Sequence, residues 1–269
     1  MPGFEAAGVC FLCRVWSNVG DFGRRPSSPG KWAESMARLA RVIALEVAHH
    51  VTQRGNAKRF ILDGDAEREV YLSLLRESLA LCDASVIGYC LMSNHIHLVM
   101  VPRQPDAMAK VLKQTHGRYA AYWNAKHRSS GHVWQGRYYS CPLDLPHLWE
   151  ALRYAELNPV RAGLVGEAEA WAWSSARVHC GATAPDAWIV MKEWAEQWDV
   201  SSWKQYISAG ISESEIRAVR QCTHTGRPLG SEQFVQELEG QTNRQLAPRK
   251  GGRPGNVEDA RQTVFSFES

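Results

Sequence analysis

The sequence predicts an α+β protein: antiparallel strands with helices packed on them, followed by a mainly helical C-terminal extension. Three observations predict it. Apolar runs rich in β-branched residues, bounded by turn formers, occupy 47–54, 85–92 and 95–101. Segments with apolar residues at helical spacing occupy 65–82, 105–126 and 146–157. Two of the strands are separated only by Ser93-Asn94, which makes them an antiparallel hairpin.

A chain of 269 residues accommodates one or two domains and a real core. A net charge of +3 permits an anionic partner without demanding one. Seven irregularly spaced cysteines, with no secretory signal, read as reduced thiols of a cytoplasmic protein. Cys10 and Cys13 form a single CxxC with no second ligand pair at zinc spacing, so it reads as a chance pair. No apolar run approaches membrane-spanning length, so no membrane partner is expected. Trp171, Trp173, Trp188, Trp194, Trp198 and Trp203 crowd one region and are expected to pack a satellite core.

Residues 1–35 show Gly, Pro and Ser punctuation and no period, which reads as a disordered leader, or as untranslated sequence ahead of a start at Met36. The strand Val47–Arg54 follows; its His49 and His50 either approach a bound cation or, the preferred reading, lie on a surface or face a neighbouring strand. The helix over 65–82 has Glu67 and Glu69 in its first turn, where the dipole is positive, and Tyr71, Leu74, Leu75, Leu79 and Cys82 along one side. The strands 85–92 and 95–101 come next. Successive strand side chains point to opposite faces, so His95 and His97 share one face and Ile96 takes the other. Two imidazoles on one face can hold a cation; alone, the pair is equally well read as satisfied polar residues at a sheet edge. The strongly apolar surroundings favour the cation, because a fold gains little by placing two titratable rings there.

The helix over 105–126 buries Met108, Val111, Leu112, Thr115, Tyr119, Tyr122 and Trp123, and turns Lys110, Lys113, Arg118 and Lys126 mostly away. That face of uniform sign either is solvated or lies along phosphates. A basic turn containing Arg128 leads into a strand over 132–142. Its Trp134, Arg137, Tyr138 and Tyr139 mix π-faces with charge, which suits either sheet packing or the stacking of single-stranded bases. The helix over 146–157 has Asp144 near its start, and Pro159 forbids its continuation. Leu145, Leu148, Leu152 and Ala155 form its apolar stripe. His147, Ala151, Tyr154 and Asn158 fall on nearly the opposite side, which leaves Tyr154 outside the buried stripe. A phenol there either packs or is exposed toward the histidine-bearing face. One turn on, the amide oxygen of Asn158 is a hard ligand suited to Mg²⁺ or Mn²⁺ beside two imidazoles.

These parts fit phosphodiester transesterification by a tyrosine hydroxyl, with a divalent cation on the scissile phosphate. Toward the C-terminus, short helices are expected over 212–219, with Ser212 and Glu215 as a capping box, and over 232–238. The run Arg249-Lys250-Gly251-Gly252-Arg253 reads as a flexible basic linker or as an auxiliary contact to the minor groove.

Three segments in order carry a resemblance: Asn94-His95-Ile96-His97-Leu98-Val99, Gly131-His132-Val133-Trp134-Gln135-Gly136-Arg137-Tyr138, and Tyr154-Ala155-Glu156-Leu157-Asn158-Pro159-Val160-Arg161-Ala162-Gly163-Leu164-Val165. From about Met36 to Cys180 the chain resembles the REP-associated tyrosine transposases of the single-tyrosine HUH superfamily. The resemblance implies a ferredoxin-like antiparallel sheet with packed helices. It implies His95 and His97 as metal ligands, Asn158 as the third, Tyr154 as the nucleophile, and Mg²⁺ or Mn²⁺ as cofactor. It also implies cleavage and rejoining of single-stranded hairpin DNA through a 5′-phosphotyrosine and a free 3′-OH. Tyr119 and Tyr122, both in an apolar stripe, are the rival nucleophiles. Lys113, Arg118, Lys126, Arg128, Trp134, Arg137, Tyr138, Arg249, Lys250 and Arg253 are the expected DNA contacts. On this reading 36–181 is the catalytic domain, 182–206 a Trp-rich connection and 207–269 a basic helical extension, acting in the nucleoid as a monomer or homodimer. The alternatives are a catalytically idle hairpin-binding regulator on the same scaffold and a phosphoesterase that uses activated water.

Overall fold

In a computed structural model of the chain, the structure describes residues 41–247; the expected leader and the basic run at 249–253 lie outside them. Four strands, β1 (His49–Arg54), β2 (Ala84–Leu91), β3 (His95–Pro102) and β4 (Tyr139–Pro142), form one sheet in the order β2-β3-β1-β4, with every pairing antiparallel. Helix α1 (Asp65–Ala80) joins β1 to β2, and α2 (Ala107–Lys126) joins β3 to β4. A β-α-β-β-α-β chain with this strand order is the ferredoxin-like arrangement. Beyond the sheet lie α3 (Leu145–Glu156), α4 (Asn158–Arg161), α5 (Ala176–His179), α6 (Lys192–Gln197), α7 (Val200–Ser208), α8 (Glu213–Thr225) and α9 (Glu232–Thr242).

The period-two alternation of β3 decides what each face receives. Ile96, Leu98 and Met100 are fully buried against Tyr71 and Leu75 of α1 and Met108, Val111 and Tyr119 of α2. Val99 points the other way, with Ile87 of β2, into a second cluster containing Leu148 and Leu152 of α3, Trp203 of α7, and Ile216 and Val219 of α8. Chain segments cover both sheet edges, which blunts them against pairing with other chains. Ile189 and Ser174 bridge to β2, and Leu229 bridges Leu143 just after β4.

Helix ends follow their local chemistry. Asp144 caps α3 by accepting from the His147 amide, with Pro146 in the first turn, where its missing N–H costs nothing. The expected box forms at α8, Ser212 and Glu215 capping each other's backbone. That helix runs six residues past the expected end at 219, to Gly226, whose φ of 77° supplies the left-handed cap.

Four expectations are corrected. The strand over 132–142 shrinks to Tyr139–Pro142, because Gly136 turns at φ 64° and only Trp134 bridges, to Gly55. Pro159 does not end helical structure: after a break at Leu157, Asn158–Arg161 makes another turn with the proline in its first positions. The stripe assigned to α3 holds at Leu148, Leu152 and Ala155 but is too narrow and starts too early. Leu145 is exposed, whereas Ala151 and Tyr154 are buried, because the sheet covers one flank of the helix and α8 the other. The tryptophans form no single satellite core. Trp194, Trp198 and Trp203 join the α3 cluster, while Trp173 and Trp188 pack against the α1/α2 cluster.

Candidate catalytic site

The α3-bearing face of the sheet holds a cavity of about 800 Å³, lined among others by His95, His97, Tyr154, Asn158, Arg161 and Arg220. The two histidines of β3 meet nearly at right angles, their ring centroids 4.9 Å apart. Each uses its Nδ1 elsewhere. His95 Nδ1 lies 2.6 Å from the side-chain oxygen of Asn94, whose amide nitrogen is turned to the Lys58 carbonyl. His97 Nδ1 lies 2.9 Å from Nε2 of His50 on β1. His97 Nε2 is buried and has no hydrogen-bond partner. Asn158 donates its amide to the carbonyls of Tyr154 and Ala155, which leaves Oδ1 as its acceptor, at 3.4 Å from the Arg161 guanidinium.

Burial keeps these rings neutral. It pushes the His50 pKa down to about 3 and, helped by Arg54 and Arg220, that of His95 down to about 4. His97 is held well below the ordinary value by burial first, and then by its histidine neighbours and Arg161 and Arg54. A neutral imidazole with an unshared Nε2 is the form that binds a cation. Among the described residues no three of His, Cys, Asp and Glu converge on a metal position. His95, His97 and Asn158 do line one cavity, and two imidazoles with an amide are a donor set that fits a divalent cation of intermediate hardness.

Tyr154 is only 4% exposed, so of the two readings left open by the sequence it packs, and it does so against the histidines. Its ring stands edge-on to His97 at 5.4 Å and to His50 at 5.7 Å. Its hydroxyl accepts from Arg220 Nε at 3.2 Å, and the Arg161 guanidinium sits 5.2 Å from the ring centroid. The rival Tyr119 is fully buried on the opposite face, donating to the Ile61 carbonyl. Tyr122 packs beside it.

The expected DNA contacts divide into groups. Lys113, Trp134, Arg137 and Tyr138 line a second cavity of about 730 Å³, between α2 and the segment 131–138. The indole of Trp134 donates to the His116 carbonyl and stacks on the His116 ring at 4.3 Å. The uniform-sign face of α2 is corrected, because acidic partners neutralise it: Lys110 pairs with Asp106, Arg118 with Glu77 and Lys126 with Glu67. Arg128 is exposed in a turn at φ 48°.

Sequence reasoning missed Arg161, Arg220 and Thr223; His50 takes the neighbouring-strand role expected of it, against His97 of β3. Alternation within 47–54 puts His50, Thr52 and Arg54 on one face, so His50 was open to a period-two reading. Arg220 and Thr223 come from α8, more than 60 residues beyond Tyr154, and no local signal links them to the site.

Residues 44–156 match the family described as transposase, IS200 like. The first two of the three motifs lie within that stretch, and the third begins in it. No curated protein sequence matches the chain. Among solved structures, the chain is similar to a REP-associated tyrosine transposase bound to a REP hairpin. The identity is 13% and the TM-score 0.45, over 61% of this chain and 93% of that one. It is also similar to a candidate transposase from Deinococcus radiodurans R1, at 13% identity and a TM-score of 0.32, over 43% of this chain and 92% of that one. No helix among the described residues is long and apolar enough to cross a membrane.

Proposed function

We propose that this IS200-like transposase domain cleaves and rejoins single-stranded, hairpin-forming DNA through a covalent bond to Tyr154, with Mg²⁺ or Mn²⁺ held by His95, His97 and Asn158. The observation that carries the reading is the convergence, in the lining of one cavity, of a phenol, two neutral imidazoles and an amide whose nitrogen is committed to backbone carbonyls. The cation, when bound, neutralises charge on the scissile phosphate and orients it.

The chain's own residues account for the rest. Tyr154 Oη forms a bond to phosphorus as the bond from phosphorus to the 3′-oxygen breaks. The phenol proton passes to solvent, and the departing 3′-oxygen takes a proton to become the free 3′-OH. Attack of a 3′-OH on the phosphotyrosine reverses the step and releases the phenol. An ordinary phenol titrates near 10, so it needs a nearby positive charge to react at neutral pH. Arg220, hydrogen-bonded to that oxygen, supplies one. Arg54 and Arg161, lining the same cavity, are placed to receive phosphate oxygens on either side of the reacting one. We assign Lys113, Trp134, Arg137 and Tyr138, with the exposed Arg128, to holding the rest of the DNA; Arg118 and Lys126 are engaged by Glu77 and Glu67.

The test is a single-stranded hairpin substrate incubated with the full chain and Mg²⁺ or Mn²⁺, followed on a denaturing gel. A protein–DNA adduct is expected from the native chain and none from Tyr154→Phe. Cleavage without an adduct would indicate activated water instead. Tight hairpin binding without cleavage under either metal would indicate an idle regulator.

A further inference from the structure

His97 Nε2 lies buried in the cavity without a hydrogen-bond partner, and whether it carries a proton decides whether it can bind a cation. In water a neutral imidazole exchanges its proton freely between the two nitrogens; in a protein the partner of one nitrogen fixes the other. The partners here can be followed back to a backbone carbonyl. Thr223 of α8 donates its hydroxyl to the Val219 carbonyl at 2.7 Å, which commits its hydrogen. Its oxygen can then only accept from His50 Nδ1, 2.7 Å away, so His50 holds its proton on Nδ1. His50 Nε2 is therefore an acceptor, and His97 Nδ1, 2.9 Å away, must donate to it. The proton of His97 is thereby placed on Nδ1, and Nε2 keeps its lone pair.

We infer that α8 sets the proton position of His97 through Thr223 and His50, and so makes His97 Nε2 a metal-binding atom before any metal arrives. This inference rests on the metal role proposed above for His97. Thr223 and His50 are positioning residues: neither is proposed to touch the cation. His50 and His97 are stacked, 14° from parallel with centroids 5.2 Å apart, and Tyr154 stands edge-on to both, so packing fixes the rings as well as their protons. The last member of the chain comes from beyond residue 156, where the family match ends, so the matched stretch does not complete its own site.

Without the Thr223 oxygen, His50 loses the acceptor that holds its proton on Nδ1. A proton on His50 Nε2 would then point at His97 Nδ1 and force the His97 proton onto Nε2, where it blocks the cation. Thr223→Val removes the hydroxyl at nearly constant shape, and Thr223→Ser keeps it.

The experiment reads the metal-free full chain first. Long-range ¹H–¹⁵N spectra of histidine-labelled protein, with His97 assigned by the loss of its signals in His97→Asn, are expected to show a protonated Nδ1 and a bare Nε2. Mn²⁺ titration followed by electron paramagnetic resonance is then expected to show affinity lowered about 10- to 100-fold by T223V, the usual range for losing a hydrogen-bond partner of a ligand, and restored by T223S. A His97 proton on Nε2 in the native chain overturns the inference, and so does a T223V protein with unchanged proton position and Mn²⁺ affinity. If T223V does not fold, the native spectrum decides alone. A bare His97 Nε2 in a native chain that binds no Mn²⁺ leaves the relay standing and removes the metal from the proposed function.

Discussion

The two faces of the sheet are built from the same four strands and serve opposite ends. Toward α1 and α2, β1 and β3 present Val51, Ile96, Leu98 and Met100, all fully buried among apolar side chains. Toward α3 and α8 the same two strands present His50 and His97, buried just as deeply but linked by hydrogen bonds to each other and to Thr223. Burying neutral imidazoles returns less free energy than burying aliphatic groups, and an unpartnered Nε2 adds a desolvation cost. The comparison teaches that the dry face holds the sheet rigid so that the wet face can keep a nitrogen lone pair and a phenol aimed into one cavity.

The largest expected effect comes from the wet face. Tyr154→Phe removes one oxygen whose only hydrogen bond among the described residues is from Arg220, so the thermal midpoint should move little while adduct formation disappears. Denaturing gels and a melting curve on the same preparation check both halves. Next comes the dry face. Leu98→Ala opens a cavity beneath α1 and α2 and should cost about 2–5 kcal/mol of stability. Denaturant unfolding measures it. Hydrogen bonds at His97, on the other side of β3, should survive, so Mn²⁺ affinity of the folded fraction should hold. If Leu98→Ala abolished Mn²⁺ binding in fully folded protein, the separation of the two faces would fail.

A glycine sits where the faces are held together. Gly88 lies at the bulge of β2, and a Cβ there would run into Leu152 of α3 and the hydroxyl of Ser175. Overpacking of this kind typically costs about 1–3 kcal/mol. Because α3 carries Tyr154, Gly88→Ala is expected to slow adduct formation as well as to lower the unfolding midpoint. An effect on stability alone would mean that the helix yields without moving its tyrosine.

Most of this sheet was legible in the sequence, and the reason is local. Strands β1 to β3 and helices α1 and α2 carry their periods in contiguous residues: Tyr71, Leu74 and Leu75 on one helix, Ile96, Leu98 and Met100 on the strand. His95, His97, Tyr154 and Asn158 were legible as types at spacings within two short segments. What sequence could not show depends on distant contacts. The burial of Tyr154 needs α8 laid over α3, and the role of His50 needs the register that sets it opposite Val99, two pairs from His97 and on the same face. The strand over 132–142 looked continuous because its aromatics have strand propensity, but a positive φ at Gly136 ends the ladder on that side.

A buried histidine outside the site gives the smallest of these effects that is still easily measured, and it sharpens the comparison by acid. His49 is fully buried at the edge of the sheet core. Its Nδ1 donates to the Val47 carbonyl, and its Nε2 accepts from the Ala44 amide. Burial lowers its pKa to about 4, against about 6.5 for an unfolded chain. Between those values the unfolded state binds a proton that the folded state refuses, so the stability His49 contributes is complete above pH 6.5 and drains away as pH falls toward 4. At pH 5 the loss is about 2 kcal/mol from this residue. His50 and His95, lowered for the same reason, act in the same direction. Unfolding midpoints measured from pH 7 to pH 5 should therefore fall steeply in the native chain and less steeply in His49→Gln, which cannot titrate. Bound Mn²⁺ should raise the native curve without changing its slope, because the imidazoles of the site are already neutral in the folded chain over this range and the slope comes from protons taken up on unfolding. If Mn²⁺ flattened the native curve and left that of His49→Gln unchanged, His49 and not the site would be responding to the metal, and the division between the faces would have been drawn in the wrong place.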